Sequence, residues 1–274
     1  MRIRSLSWLM SAPLVVGSCI IGALYWGDGS GRFIFILIPF IPLLAIYFGK
    51  DQIDYWYLQK YPYPLDQRIV AWLNEYDTYY LSLSDNYKKE YENRLSNYLF
   101  AREMVIMGNK ETRELPEDIK AVIASQCIKI TMGHEEYLLG DFDRIYCYTH
   151  PFPSPSNPAL HLYETEKEDQ MIILSMEHAI KGITDKKVFN IALQAYLEAY
   201  ISIYPAKDYP TVHDFGWTIP EQIFGLSHLQ IQKYTGVEIS DILAVHMNAY
   251  FTDREQYSAA LPHVSASFKK IFNQ

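Results

Sequence analysis

Hydrophobic and polar positions divide the chain near Lys50. Before it stand two apolar runs, Leu6 to Trp26 and Phe33 to Gly49, neither containing a charged residue. Runs of this kind predict transmembrane helices, and the polar, glycine-rich G-D-G-S-G-R between them predicts the turn of a hairpin. The second run is near the lower length limit for a span, and Pro39 and Pro42 are expected to kink it. Trp8, Tyr25, Trp26 and Tyr47 sit near the run ends, where amphipathic rings favour the membrane interface. A cleaved signal peptide is the competing reading, since Arg2 and Arg4 precede the first run. It lacks a small-residue cleavage site, and a second apolar run follows. Arg2 and Arg4 on one flank, and Lys50, Lys60 and Arg68 on the other, place both termini on the cytoplasmic side, with Arg32 beside Asp28 in the turn. The expectation is a hairpin over residues 1–50, spanning at about 6–26 and 33–49. It would sit in an inner, cytoplasmic membrane, with the bilayer as partner and the remainder facing the cytoplasm.

After Lys50 the pattern changes. Asp51 to Pro64 is aromatic and then proline-broken, as expected of a juxtamembrane linker over 51–64. A soluble domain is expected over 65–274. Apolar positions at helical spacing predict helices over Leu65–Tyr80 and Asp85–Ala101, and a third opened by Leu115 and Pro116 and running to Met132. The runs I-Y-C-Y-T-H, H-L-Y-E-T and M-I-I-L-S, separated by the proline loop P-F-P-S-P-S-N-P, predict two or three short strands. A short helix follows over Glu177–Gly182. A long one, capped by Thr184 or Asp185, runs from Lys186 to about Tyr204. Further helices are expected near Pro220–Tyr234, Ser240–Phe251 and Arg254–Phe272, behind an aromatic loop at Phe215, Gly216 and Trp217. The fold class is therefore α+β and mainly helical, with a small β-sheet, behind a membrane hairpin.

Composition narrows the function classes. With 274 residues and 49% hydrophobic content the chain can bury one sizeable core. A net charge of −8, without a Lys/Arg cluster, argues against nucleic acid as a partner. Cys19, Cys127 and Cys147 are odd in number and widely spaced, and read as reduced, structural thiols. The 23 tyrosines fit either ordinary packing or a binding cleft.

Several blocks, in order, carry a resemblance. They are I-A-S-Q-C-I-K-I-T-M-G at 123–133, I-Y-C-Y-T-H-P-F-P-S-P, the H-x-x-E of His161 and Glu164, and I-I-L-S-M-E-H-A-I-K-G-I-T-D-K-K-V-F-N ending at Asn190. Over about Tyr76 to Phe272 the chain resembles the Mlc titration factor A family of zinc-dependent peptidases, whose core is similar to that of anthrax lethal factor. The resemblance implies a zincin-like domain in which an Asn leads directly into an H-E-x-x-H helix. Leu174-Ser175 and Gly182-Ile183 match the block before it, with Met176 in place of a Trp. The register then sets Gln194 at the first His, Ala195 at the Glu base, Tyr196 and Leu197 at the intervening positions and Glu198 at the second His. Asp241, opening D-I-L-A-V-H-M-N-A-Y-F, falls at the acidic third ligand.

The chemistry of such a site needs two imidazoles at i and i+4, a third ligand and a Glu to activate the bound water. Gln194 and Glu198 keep the spacing without the donor type, and the methyl of Ala195 cannot accept a proton. Zinc is expected to be lost, with catalytic residues none, and Gln194, Glu198 and Asp241 become vestigial metal-site positions. Two carboxylates and an amide leave room only for weak binding of a hard cation. His161 and Glu164 fall at the rim of the implied cleft. His134-Glu135 lacks a second His and is expected in an exposed loop, and His213, His228 and His246 have no zinc-ligand spacing. The leading expectation is a membrane-anchored pseudopeptidase that binds a protein or peptide. The alternatives are a hydrolase with a displaced or non-zinc metal site, and a structural membrane protein.

Overall fold

A computed structural model of the protein describes residues 5–26, 32–108 and 113–273. The chain divides into two compact units, 1–63 and 64–274. Arg2, Arg4, Asp28 and most of the G-D-G-S-G-R turn lie outside the described residues.

The first unit is a helical hairpin of α1 (Leu6–Tyr25) and α2 (Leu37–Lys60), with a short 3-10 turn at Arg32–Ile36. Both helices are long and apolar enough to cross a membrane. The 20 residues of α1 rise about 30 Å, the thickness of a bilayer's hydrocarbon. Within the segment expected as a linker over 51–64, α2 continues without a break through Asp51 and Tyr55 to Lys60, and Pro42 lies inside the helix. Asp54 supplies the reason. Its buried carboxylate accepts hydrogen bonds from the Ser7 amide, the Ser7 hydroxyl and the Ser5 hydroxyl, each at 2.8 Å, so it satisfies donors at the start of α1. This cross-link needs the helix to run on past Gly49. Asp54→Asn keeps one acceptor and loses the charge. It is expected to weaken the lock by about 1 kcal/mol, read as roughly fivefold faster exchange of the Ser7 amide.

The second unit begins with α3 (Gln67–Tyr76), α4 (Thr78–Ser82) and α5 (Asp85–Ala101). The single helix expected over Leu65–Tyr80 is broken because Asp77 takes a non-helical conformation and turns its carboxylate onto the Tyr79 and Tyr80 amides. There follow β1 (Glu103–Ile106), β2 (Arg113–Glu114), α6 (Glu117–Thr131), β3 (Arg144–Tyr148), β4 (Tyr163–Glu166) and β5 (Met171–Ser175). The sheet is mixed and ordered β2-β1-β3-β5-β4: β1, β3 and β5 are parallel, and β2 and β4 run antiparallel at the edges.

Next come α7 (Met176–Thr184) and α8 (Ile191–Ile203). The long helix expected from Lys186 starts later, because Asn190 rather than Thr184 or Asp185 caps it. The Asn190 Oδ1 accepts from the Leu193 amide at 3.0 Å. Gly182 makes the junction possible, since a Cβ there would stand 2.8 Å from the Phe189 carbonyl and 2.9 Å from the Asn190 Cα. The chain closes with α9 (Thr218–Phe224), α10 (His228–Thr235), α11 (Ile242–Thr252), α12 (Arg254–Ala260) and α13 (Pro262–Ile271). Two expected helices are thus split. Gly225 in the left-handed region ends α9, and Pro262 opens α13.

The core is built around α8. Its residues from Ile191 to Leu197 are all buried, which explains the weak amphipathicity of I-A-L-Q-A-Y-L. It packs on β4 and β5 and against α6, α7 and α11.

Candidate functional site

A cavity of about 450 Å³ lies where α8, β4 and the segment before α11 meet. Glu198, Tyr163, Glu164, Thr165, His161, Glu238 and Asp241 line it, with Ser156 and Asn157 of the proline loop. Each wall has a local cause. The strand period sends Tyr163 and Thr165 toward α8, where the Tyr163 hydroxyl donates to Glu198 Oε1 at 3.0 Å and the Thr165 hydroxyl donates to the Ala195 carbonyl at 3.3 Å. Glu164 takes the opposite side and meets His161 at 3.2 Å and Ser156. The far wall is held by the end of α10. The Thr235 carbonyl accepts from the Leu162 amide at 2.8 Å, and Gly236, at φ +73°, lets the backbone press against Leu160 and His161.

His161 is fully enclosed. Its Nδ1 faces the Ala159 carbonyl at 2.9 Å and its Nε2 faces the Glu164 carboxylate at 3.2 Å. The ring is thus held between a backbone carbonyl and a carboxylate. Burial works against the Glu164 charge. Hydrogen bonds from Ser156, Ser154 and His161 outweigh it and hold the carboxyl below its ordinary range.

Gln194 does not reach the cavity. It is 0% exposed and committed at both ends, its Nε2 donating to Glu198 Oε1 at 3.0 Å and its Oε1 accepting from Asn248 Nδ2 at 3.2 Å. Asn248 also donates to the Asn190 carbonyl, Asn190 Nδ2 donates to Gln126 Oε1, and Gln126 Oε1 accepts from Lys129 at 3.4 Å. Lys129 in turn stands 3.6 Å from Asp77. A row of side-chain amides thus crosses the interior between Glu198 and Asp77. Asp77, Lys129 and Asn190 line a second cavity of about 270 Å³.

Of the vestigial positions, then, Glu198 and Asp241 line one cavity and Gln194 is core. Asp241 has a structural duty as the N-cap of α11, accepting from the Ala244 amide at 3.2 Å. Asn248, Gln126 and Glu238 escape a reading of local pattern. The only trace of Asn248 is a single amide in the apolar run A-V-H-M-N-A-Y-F.

These residues do not fit zinc. The amide of Gln194 is spent, Ala195 offers a methyl, and one carboxylate replaces two imidazoles. Among the described residues no group of three or more His, Cys, Asp or Glu is arranged to hold a metal ion. The other histidines are dispersed. His246 is buried between the Tyr257 hydroxyl at 2.8 Å and the Gly216 carbonyl at 2.9 Å, and His228 stacks on Trp217 at 4.0 Å. His213 is exposed. The exposed loop expected at His134 is corrected in part. Glu135 is exposed, but His134 is half-buried against the Tyr200 hydroxyl at 2.9 Å, and desolvation first, then Lys207 and Arg94, push its pKa down to about 4.

Glu198 is the cavity's electrostatic centre. Burial raises its pKa, hydrogen bonds from Gln194, Thr165 and Tyr163 lower it, and Asp241 raises it, with a net upward shift. A carboxyl whose folded pKa lies above its unfolded value binds its proton more tightly in the folded state. Its stability contribution is fully present below the unfolded pKa of about 4.5 and is lost as pH rises through the folded value. Glu198→Gln is therefore expected to stabilise the chain by about 1 kcal/mol at neutral pH and by nothing near pH 4, checked by thermal unfolding at both pH values.

Comparison of the chain with protein-family models, with curated proteins and with solved structures finds no match in any of the three.

Proposed function

We propose that this is a membrane-anchored, non-catalytic protein with a zinc-peptidase-like domain of the Mlc titration factor A type, whose cleft holds a protein or peptide segment. The hairpin sits in an inner membrane and the domain faces the cytoplasm. One observation carries the reading. At the Q-A-Y-L-E positions of α8, beneath an antiparallel edge strand, the amide of Gln194 is built into the core and only Glu198 reaches the cavity. Further support comes from the order β3, β4, β5, α7, Asn190-capped α8, which follows the order of blocks in the resemblance.

A second reading, a hydrolase using Glu198 and Asp241 with a hard cation, draws on their shared cavity. One experiment separates the two. The full chain in detergent, and its Gln194→His, Ala195→Glu, Glu198→His variant, are loaded with zinc and desalted, then assayed for zinc by mass spectrometry and for peptide hydrolysis. The native chain is expected to come out empty and inactive, and the variant to retain about one zinc per chain. Stoichiometric zinc in the native chain, or hydrolysis abolished by Glu198→Ala, overturns the non-catalytic reading.

A further inference from the structure

The clasp at Asp54 fixes where the two ends of the hairpin fall. Ser5 and Ser7 meet Asp54 at one end, and Tyr25 meets Phe35 edge to face at 6.4 Å at the other. From Ser7 to Tyr25 α1 rises about 27 Å, close to the roughly 30 Å of a bilayer's hydrocarbon. With the hairpin in a membrane, the clasp therefore falls at one face of the hydrocarbon. Helix α1 begins at Leu6, whereas α2 runs on past Asp54 to Lys60, a further rise of about 9 Å. The headgroup layer on each side is about 5–8 Å deep, so the last turns of α2 cross it.

The side chains on this extension suit that layer. Trp56 and Tyr61 are exposed, and the Lys60 ammonium lies over both rings, 5.9 and 5.8 Å from their centres. Charge is an independent observation. Lys50 lies one turn before Asp54, at the i, i+4 spacing of a helical ion pair. Asp54 turns instead to Ser5 and Ser7. Among the described residues neither Lys50 nor Lys60 makes an ion pair. These two exposed ammonium groups bracket the clasp, about 15 Å apart along the helix. Their flexible stems can reach toward the level between them from both sides.

We propose that this end of the hairpin binds phospholipid headgroups, with Lys50 and Lys60 reaching lipid phosphate from either side of the clasp and Trp56 and Tyr61 seated in the headgroup layer. The proposal rests on the membrane-anchored reading. It adds the chemistry of the contact: α2 recognises the phosphate as well as the acyl chains. Asp54 makes this possible, because it closes the hairpin through serine donors and so leaves both lysine charges for the lipid.

The test has two arms, both on the full chain. In phospholipid nanodiscs the chain carries Cys19→Ser and either Val16→Cys or Gln59→Cys, with a fluorophore on the new thiol; Cys127 and Cys147 are buried. Position 59 is expected to be quenched more strongly by a headgroup nitroxide than by a mid-chain one, and position 16 the reverse. In detergent, native mass spectrometry compares retention of phosphatidylglycerol with that of diacylglycerol bearing the same chains. The phospholipid is expected to be retained in preference. Lys50→Gln and Lys60→Gln are each expected to lower its apparent affinity roughly fivefold, while Lys269→Gln, at an exposed lysine of α13, leaves it unchanged. Inorganic phosphate at the same concentration is expected to displace none of it. Equal retention of the two lipids, displacement by inorganic phosphate, or retention indifferent to both lysine variants overturns the proposal. So does a position 59 that the headgroup nitroxide leaves bright while position 16 is quenched. Absence of quenching at position 16 by either nitroxide overturns instead the membrane-anchored reading beneath it.

Discussion

Gly236→Ala is expected to cost about 3 kcal/mol or more of unfolding free energy, while Gly225→Ala costs about 1 kcal/mol. Both glycines terminate helices in the left-handed region, at φ +73° and +64°. They differ in what a side chain would meet. At Gly225 nothing lies within 4 Å, so the variant isolates the backbone cost. At Gly236 the new Cβ would collide with the Leu160 carbonyl and stand 2.9 Å from the Cα of His161, and backbone cannot swing away as a side chain could. The same collision pushes on the Leu162 amide bond to Thr235 and on the enclosed His161. Urea unfolding of the full chain in detergent checks the magnitudes. Similar losses for both variants would mean that the close approach carries no weight.

Asn190→Ala is the second large effect, expected at about 2–3 kcal/mol. The side chain has two duties: it caps the buried helix α8 through Leu193, and it donates to Gln126 Oε1 at 3.0 Å inside the protein. Asn190→Ser separates them, because serine caps as well and cannot reach Gln126. About half the loss is expected for serine. A serine variant as unstable as alanine would place the whole effect in the Gln126 bond, and one as stable as native would place it in the cap.

How legible these features are in the sequence depends on how local their causes are. The hairpin is written in two charge-free runs. The continuation of α2 to Lys60 is not, since D-Q-I-D-Y-W-Y looks interfacial until Asp54 is seen to serve Ser5 and Ser7, nearly 50 positions earlier. Strands β3, β4 and β5 stand out as short β-rich runs between turn residues. Strand β1 does not, because its four residues, Glu103–Ile106, directly follow the end of α5. At the site, the i, i+4 spacing sets Gln194 and Glu198 on one face, and the two are hydrogen-bonded. What spacing cannot tell is which of them faces solvent. That is decided by Asn248, 54 residues downstream, which claims the Gln194 amide for the core.

The row of amides from Gln194 to Gln126 has an electrical consequence. Charge stands at both ends, Glu198 on one side and Asp77 with Lys129 on the other, and every link between is neutral. Amides reorient their dipoles in a field, yet near neutral pH they neither take up nor release a proton. The row therefore conducts no protons, and a change of charge at Glu198 polarises its neighbours without discharging anything at the far end.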